Sequence, residues 1–251
     1  MEFVTWGTIL LMVVGFFAGF MNVIAGGGST LSVPVMIFMG LPAPVANGTN
    51  RIAILAQNIT AVVTFFRRGY SDFKLSLSLA ISAIPGAVAG ALIGVEFQGI
   101  WFNRMLAMIM VGIMLTNHLS NKPVPSKIIV PSRARLVVGH LMMTVVGFWG
   151  GFIQIGVGFL IMPILSGVIG LDLVRTNMHK VFIIGTYTVV ALAIFASNLE
   201  IPWMIGLALA SGNMLGGYLG ARISISQGDR FIRIALNVVL ACFIVRLLVI
   251  T

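Results

Sequence analysis

Two polar clusters interrupt an otherwise apolar chain, and both are rich in hydrogen-bond donors. The first joins a glycine loop, Ala25-Gly26-Gly27-Gly28-Ser29-Thr30, to Asn47-Gly48-Thr49-Asn50-Arg51, with Gln57 and Asn58 behind it. The second joins Gly156-Val157-Gly158-Phe159 to Thr176-Asn177-Met178-His179-Lys180, with Thr186 and Tyr187 behind it. The chemistry these residues suit is the binding of an anion. A helix that starts at the first loop would aim free N–H groups and its positive dipole end at a ligand, and Ser29 and Thr30 would add hydroxyl donors. Gly27 and Gly28 form the loop itself, and Gly158 would bring a second short helix in from the opposite face. Arg51 and Lys180 lie about two turns into their helices, where a charge is costly unless it faces a cavity or snorkels to headgroups. Paired, they would supply the counter-charge. Asn22, Asn50, Gln154, Asn177 and His179 complete the candidate set. The plainer reading is that the glycines allow close helix packing and the two cations snorkel.

No Asp or Glu falls in the middle of a long apolar segment. Asp72, Glu96, Asp172, Glu200 and Asp229 stand at turns and Glu2 at the terminus. This disfavours a carboxylate proton relay and a cation pathway. A coupling ion, proton or sodium, is left open; for a proton, His179 is the candidate, whereas His118 and His140 read as interfacial. Enzymatic readings find little support. There is no His-Glu-x-x-His, P-loop or Gly-x-Ser-x-Gly elbow, nor a Cys/His cluster able to hold a metal. An intramembrane serine protease using Ser29 with His179 is not singled out by spacing. No cofactor is expected.

These residues need elements to position them. Of 251 residues, 59% are hydrophobic and only 8% charged, too few to cover a soluble surface. Apolar runs long enough to cross a hydrocarbon layer of roughly 30 Å recur from end to end, and the mean hydropathy is +1.10. The chain therefore reads as an all-α polytopic membrane protein in contact with the lipid bilayer. Embedded segments are expected at about 4–24, 29–41, 45–66, 74–95 and 101–118, then 135–155, 158–169, 174–197, 202–221 and 231–250. The net charge of +9 comes from clusters between apolar segments, so it carries topology rather than affinity for nucleic acid. Cys242 is alone and cannot form an intrachain disulfide. The start lacks a basic region, and no cleaved signal peptide is expected.

The halves repeat. Gly15-Phe16-Phe17-Ala18-Gly19-Phe20 matches Gly147-Phe148-Trp149-Gly150-Gly151-Phe152, Asn22 matches Gln154, and Val45 to Arg51 aligns with Val174 to Lys180. Gly90 and Gly94 match Gly216 and Gly220. Repeats are expected over 1–118 and 135–251, joined by a cytoplasmic, proline-containing linker at 119–134. The positive-inside rule puts the clusters at Arg67/Arg68/Lys74, the linker and Arg222/Arg230/Arg233 in the cytoplasm and both termini outside. Each half then crosses the membrane an odd number of times, so the two repeats, of about five embedded segments each, are inverted. Such repeats place a site near the midplane where they meet. The second segment of each is too short to span comfortably. It is either re-entrant, with a glycine tip at depth, or tilted.

At these motifs the chain resembles the TauE/SafE family of sulfite and organosulfonate exporters. The resemblance rests on Gly26 to Pro34, Thr49-Asn50-Arg51-Ile52-Ala53-Ile54 with Gln57-Asn58, and Phe65-Phe66-Arg67-Arg68-Gly69. In the second half it rests on His179-Lys180-Val181-Phe182-Ile183 and Gly216 to Arg222. The loop Gly156-Val157-Gly158-Phe159 departs from the pattern, being poorer in glycine and hydroxyls than the first. The resemblance implies a permease of a bacterial-type plasma membrane that takes sulfite, sulfonates or other small sulfur-containing or carboxylate anions. The expected function is alternating-access secondary transport; an anion channel on the same site is the alternative. A homo-oligomer is left open.

Overall fold

The computed structural model describes the backbone of residues 2–97 and 132–250, with side chains for residues 6–97 and 132–227. The segment expected at 101–118 and nearly all of the linker lie outside the described residues. The described residues form helices: α1 (Glu2–Ile24), α2 (Ser29–Phe38), α3 (Ala43–Arg67), α4 (Phe73–Glu96), α5 (Arg133–Phe152), α6 (Val157–Pro163), α7 (Leu173–Asn198) and α8 (Trp203–Ile250). A π-helical turn, Ile164–Ile169, prolongs α6.

Local chemistry sets several of these limits. α3 opens behind Pro42 with a proline in its first turn, where a missing N–H leaves nothing unpaired. Asp72 caps α4 by accepting from the Leu75 N–H at 3.2 Å, and Asp172 caps α7 by accepting from the Arg175 N–H at 2.8 Å. Two of the acidic residues that the sequence put at turns are thus helix caps. One expected boundary is corrected. The turn anticipated between 221 and 231 is helical, and α8 continues through it. That stretch contains no proline, and Gly228 is its single poor helix former, so little there would end a helix.

Trp6–Ile24, α4, α5 and α7 are long and apolar enough to cross a membrane. α3, at 25 residues, has the length but carries the polar cluster. α2 is 10 residues long, about 15 Å at 1.5 Å per residue, and cannot span alone. Large apolar residues point outward, for example Trp6, Leu10 and Phe17 on α1 and Val137, Leu141 and Val145 on α5. Small residues point inward. That polarity suits helices whose solvent is lipid and whose mutual packing depends on close approach.

The close approach follows one register used twice. Gly15 and Gly19 of α1 lie against the Leu209 and Asn213 carbonyls of α8, while Gly212 and Gly216 lie against those of Met12 and Phe16. Gly147 and Gly151 of α5 lie against the Ala83 and Ala87 carbonyls of α4, while Gly86 and Gly90 lie against those of Thr144 and Phe148. A Cβ at any of these eight glycines would collide with backbone. Adding 132 to residues 12, 15, 16 and 19 gives 144, 147, 148 and 151. Subtracting 126 from 209, 212, 213 and 216 gives 83, 86, 87 and 90. The first helix of each half therefore packs on the last described helix of the other half. Between these pairs, α3 packs on α7 and α8, and α7 packs on α3 and α4.

Candidate functional site

The site is built around two backbone breaks. After α1 the chain turns at Gly26 (φ +85°), whose N–H bonds the Asn22 carbonyl at 2.9 Å, and α2 starts at Ser29. After α5 it turns through Gln154 (φ +61°) and Gly156 (φ +71°) into α6. The indole N–H of Trp149 holds that second break by donating to the Ile155 carbonyl at 3.1 Å. Left-handed backbone at glutamine is unfavourable by roughly 1–2 kcal/mol, so surrounding contacts must hold it. The breaks abut: a Cβ on either Gly26 or Gly158 would strike the other glycine's Cα. Only a residue without a side chain permits that approach.

Each buried cation reaches across to the end of the other half's first helix. Arg51, fully buried on α3, donates from Nη1 to the Gly150 carbonyl at 3.0 Å and to Gln154 Oε1 at 3.3 Å. Its Nη2 donates to the Gly151 carbonyl. Lys180, fully buried on α7, donates from Nζ to the Val23 carbonyl at 2.7 Å and to Asn177 Oδ1 at 2.8 Å. A helix C-terminus carries about half a negative charge, so both cations sit where the backbone partly neutralises them. Neither snorkels. The Phe195 ring lies 4.4 Å beneath the guanidinium as a further cation–π contact. Among the described residues no Asp or Glu is buried, so no carboxylate balances either charge.

Of the other candidates, Gln154 and Asn177 bond the two cations, and the rest have partners of their own. Asn50 accepts from Ser32 Oγ at 2.6 Å and donates to Ser29 Oγ at 3.1 Å, tying α3 to the start of α2. Thr30 turns its hydroxyl back onto the Gly27 carbonyl. Asn22 donates to Gln57 Oε1 at 3.1 Å, and Gln57 donates on to Asn58 Oδ1 at 3.3 Å. Gln154 joins the Arg51 group and donates to Thr188 Oγ1 at 3.4 Å. Asn177 joins the Lys180 group and donates to Ser224 Oγ at 3.1 Å. His179 turns away to α4, where its Nδ1 pairs with Ser76 Oγ at 2.7 Å. Gly27 and Gly28 run directly into α2, and Gly28 packs on the Ala18 carbonyl.

Sequence reasoning passed over Ser32, Ser76, Thr188 and Ser224. Isolated hydroxyls in apolar helices look alike until a partner is placed beside them. It also left Asn47 and Tyr187 unassigned, although both stand in the motifs. Asn47 donates to the Phe152 carbonyl at 2.8 Å, one turn before Arg51 on the same helix face.

A family model described as Sulfite exporter TauE/SafE matches residues 11–247. The chain is 29% identical over 239 residues to a "Probable membrane transporter protein ORF9" of Sinorhizobium sp, covering 95% of this chain and 91% of that protein. It is 25% identical to a "Probable membrane transporter protein" of Haemophilus influenzae, covering 89% of this chain and 88% of that one. It is 26% identical to "Probable membrane transporter protein YfcA" of Escherichia coli, covering 95% of this chain and 88% of that one. No solved structure matches it.

Proposed function

The chain belongs to the sulfite exporter TauE/SafE family of membrane transporters, and from that premise we propose that it carries a small oxyanion by alternating access. Sulfite, organosulfonates and related sulfur-containing or carboxylate anions are the substrate class. The observation that carries the proposal is the junction of the two breaks, where Arg51 and Lys180 are buried with no acidic partner among the described residues. A buried cation held by carbonyl dipoles and, for Arg51, an aromatic ring, with no carboxylate beside it, retains a net attraction for an anion. The site residues are Asn22, Gly27, Gly28, Ser29, Thr30, Asn50 and Arg51 from the first half. Gln154, Gly158, Asn177 and Lys180 come from the second, whereas His179, also expected there from the sequence, faces α4 instead.

The matched glycine registers of α1/α8 and α5/α4 support two repeats related by an axis through this junction. We take the repeats as inverted, in a bacterial plasma membrane with the N-terminus outside. The unbroken α8, about 72 Å long, does not turn back at Arg222 and so does not carry the C-terminus to the outside, where the sequence places it. Rocking of one bundle against the other would open the junction to each side in turn. The test is a thermal-shift screen of sulfite, thiosulfate, sulfonates and small carboxylates on detergent-solubilised protein, followed by counterflow exchange in vesicles. An anion should raise the melting temperature, and Arg51→Ala or Lys180→Ala should reduce that rise. The placement of the site is wrong if neither substitution changes it.

A further inference from the structure

We propose that Asn58 and Tyr187 are a matched pair of donors for the transported anion, one from each half. This deepens the transport reading above and rests on it. Lys180 follows Arg51 by 129 residues, and the same offset relates Asn58 to Tyr187 and Asn47 to Thr176. All four of these flanking residues hold a buried polar atom without a hydrogen-bond partner: Asn47 Oδ1, Asn58 Nδ2, Thr176 Oγ1 and the Tyr187 hydroxyl. Arg51 Nε is a fifth such atom; Thr49 Oγ1, which lies off the stripe on α3, and Asn213 Oδ1, on α8, are the others among the described residues. At about 100° per residue, positions 47, 51 and 58 fall within about 40° of one another around α3. Positions 176, 180 and 187 do the same around α7. Each helix thus carries one stripe of cation and orphaned polar groups, at equivalent places.

Buried polar atoms are almost always paired, and those left unpaired in a native protein call for water or a ligand. Here Asn47 and Thr176 lie one turn, and Asn58 and Tyr187 two turns, along the helix from a buried cation that has no acidic partner among the described residues. Asn58 Nδ2 and the Tyr187 hydroxyl can both donate, which is what an oxyanion requires. They lie along the seam between α3 and α7. A Cβ on Gly185, two residues before Tyr187, would lie 3.3 Å from the Asn58 Cβ. The Tyr187 hydroxyl lies against Gly150, whose carbonyl accepts from Arg51. It approaches Gln154 without forming a hydrogen bond of normal geometry. One donor therefore stands in the Arg51 group and the other two turns along α3 from it. A small oxyanion moving along the seam would meet the two donors in turn.

Tyr187→Phe removes one hydroxyl and almost nothing else. Binding of sulfite and methanesulfonate to the purified full chain, measured by calorimetry, should weaken about tenfold or more, since a hydrogen bond to a charged group is lost. The anion-free melting temperature should hold or rise, because an unpaired polar group has left the interior. Asn58→Asp keeps an acceptor for Gln57 but replaces the donor with a carboxylate, and should abolish binding. Thr60→Val, which removes a hydroxyl that bonds the Ala56 carbonyl away from the stripe, should leave affinity unchanged. Wild-type protein that binds neither anion overturns the transport reading and this one with it. Wild-type binding that Tyr187→Phe and Asn58→Asp both retain overturns this one alone.

Discussion

Gly158→Ala tests the meeting of the two breaks with a single methyl group. The added Cβ would strike the Gly26 Cα and stand 2.8 Å from its carbonyl oxygen and 2.9 Å from its carbonyl carbon. Carbon atoms in contact prefer about 3.5–4.0 Å, so the breaks must part by roughly 1 Å. The Gly26 side cannot yield freely, because its N–H is tied to the Met21 and Asn22 carbonyls at the end of α1. Overpacking of this kind destabilises by about 1–3 kcal/mol. At about 2–4 °C per kcal/mol, the expected loss in melting temperature is roughly 2–12 °C. Alanine's better helix propensity in α6 offsets at most about 1 kcal/mol of it. Gly167→Ala is the control: its Cβ would meet nothing within 4 Å, so its melting temperature should match or slightly exceed the wild type. Both variants would be followed by thermal unfolding and by anion flux in vesicles, with Gly158→Ala losing flux as well. A Gly158→Ala protein that melts and transports like the wild type refutes the contact and the site built on it.

Gly216→Ala and Gly90→Ala add the same methyl group at equivalent places, against the Phe16 and Phe148 carbonyls. Thermal unfolding should show similar losses for both; a large disparity would break the equivalence of the two helix pairs. Arg51→Lys keeps the charge but loses the fork that serves Gly150, Gly151 and Gln154. Leaving a buried carbonyl unpaired costs about 1–3 kcal/mol, so denaturation should show a loss of at least that order despite the retained charge. Ser76→Ala strips His179 of its α4 partner and should destabilise by about 1 kcal/mol, read from the same melts. Asp172→Ala removes the α7 cap and should cost about as much.

Most of the helices were legible because hydropathy and length state them directly: α1, α3, α4, α5 and α7 begin and end within a few residues of expectation. The short segments were legible too, since a glycine break before a run of about ten apolar residues has few other readings. The turn near residue 228 was misread because a polar, charged stretch resembles a loop, while nothing in it forbids helix. For the candidate site, the sequence identified Arg51 and Lys180 as out of place but could not say what they touch. Their partners are backbone carbonyls, which no side-chain pattern encodes. Likewise, His179 stands beside Lys180 in the chain yet faces a different helix. One residue of offset is about 100° of rotation.

The crossed attachment of the two cations bears on how such a junction could move. Arg51 belongs to α3 but holds the end of α5, and Lys180 belongs to α7 but holds the end of α1. Each glycine-packed pair likewise joins the two halves, α1 to α8 and α5 to α4. A motion that separated the halves as whole units would have to break both packing seams and strip both cations of their carbonyls. A motion that keeps each glycine pair rigid breaks neither seam. It needs only α3 and α7, which carry the cations, to shift against the helix ends they hold. The carbonyls of Gly150, Gly151 and Val23 would then be the acceptors that an incoming anion displaces. Binding and movement would be coupled through the same hydrogen bonds.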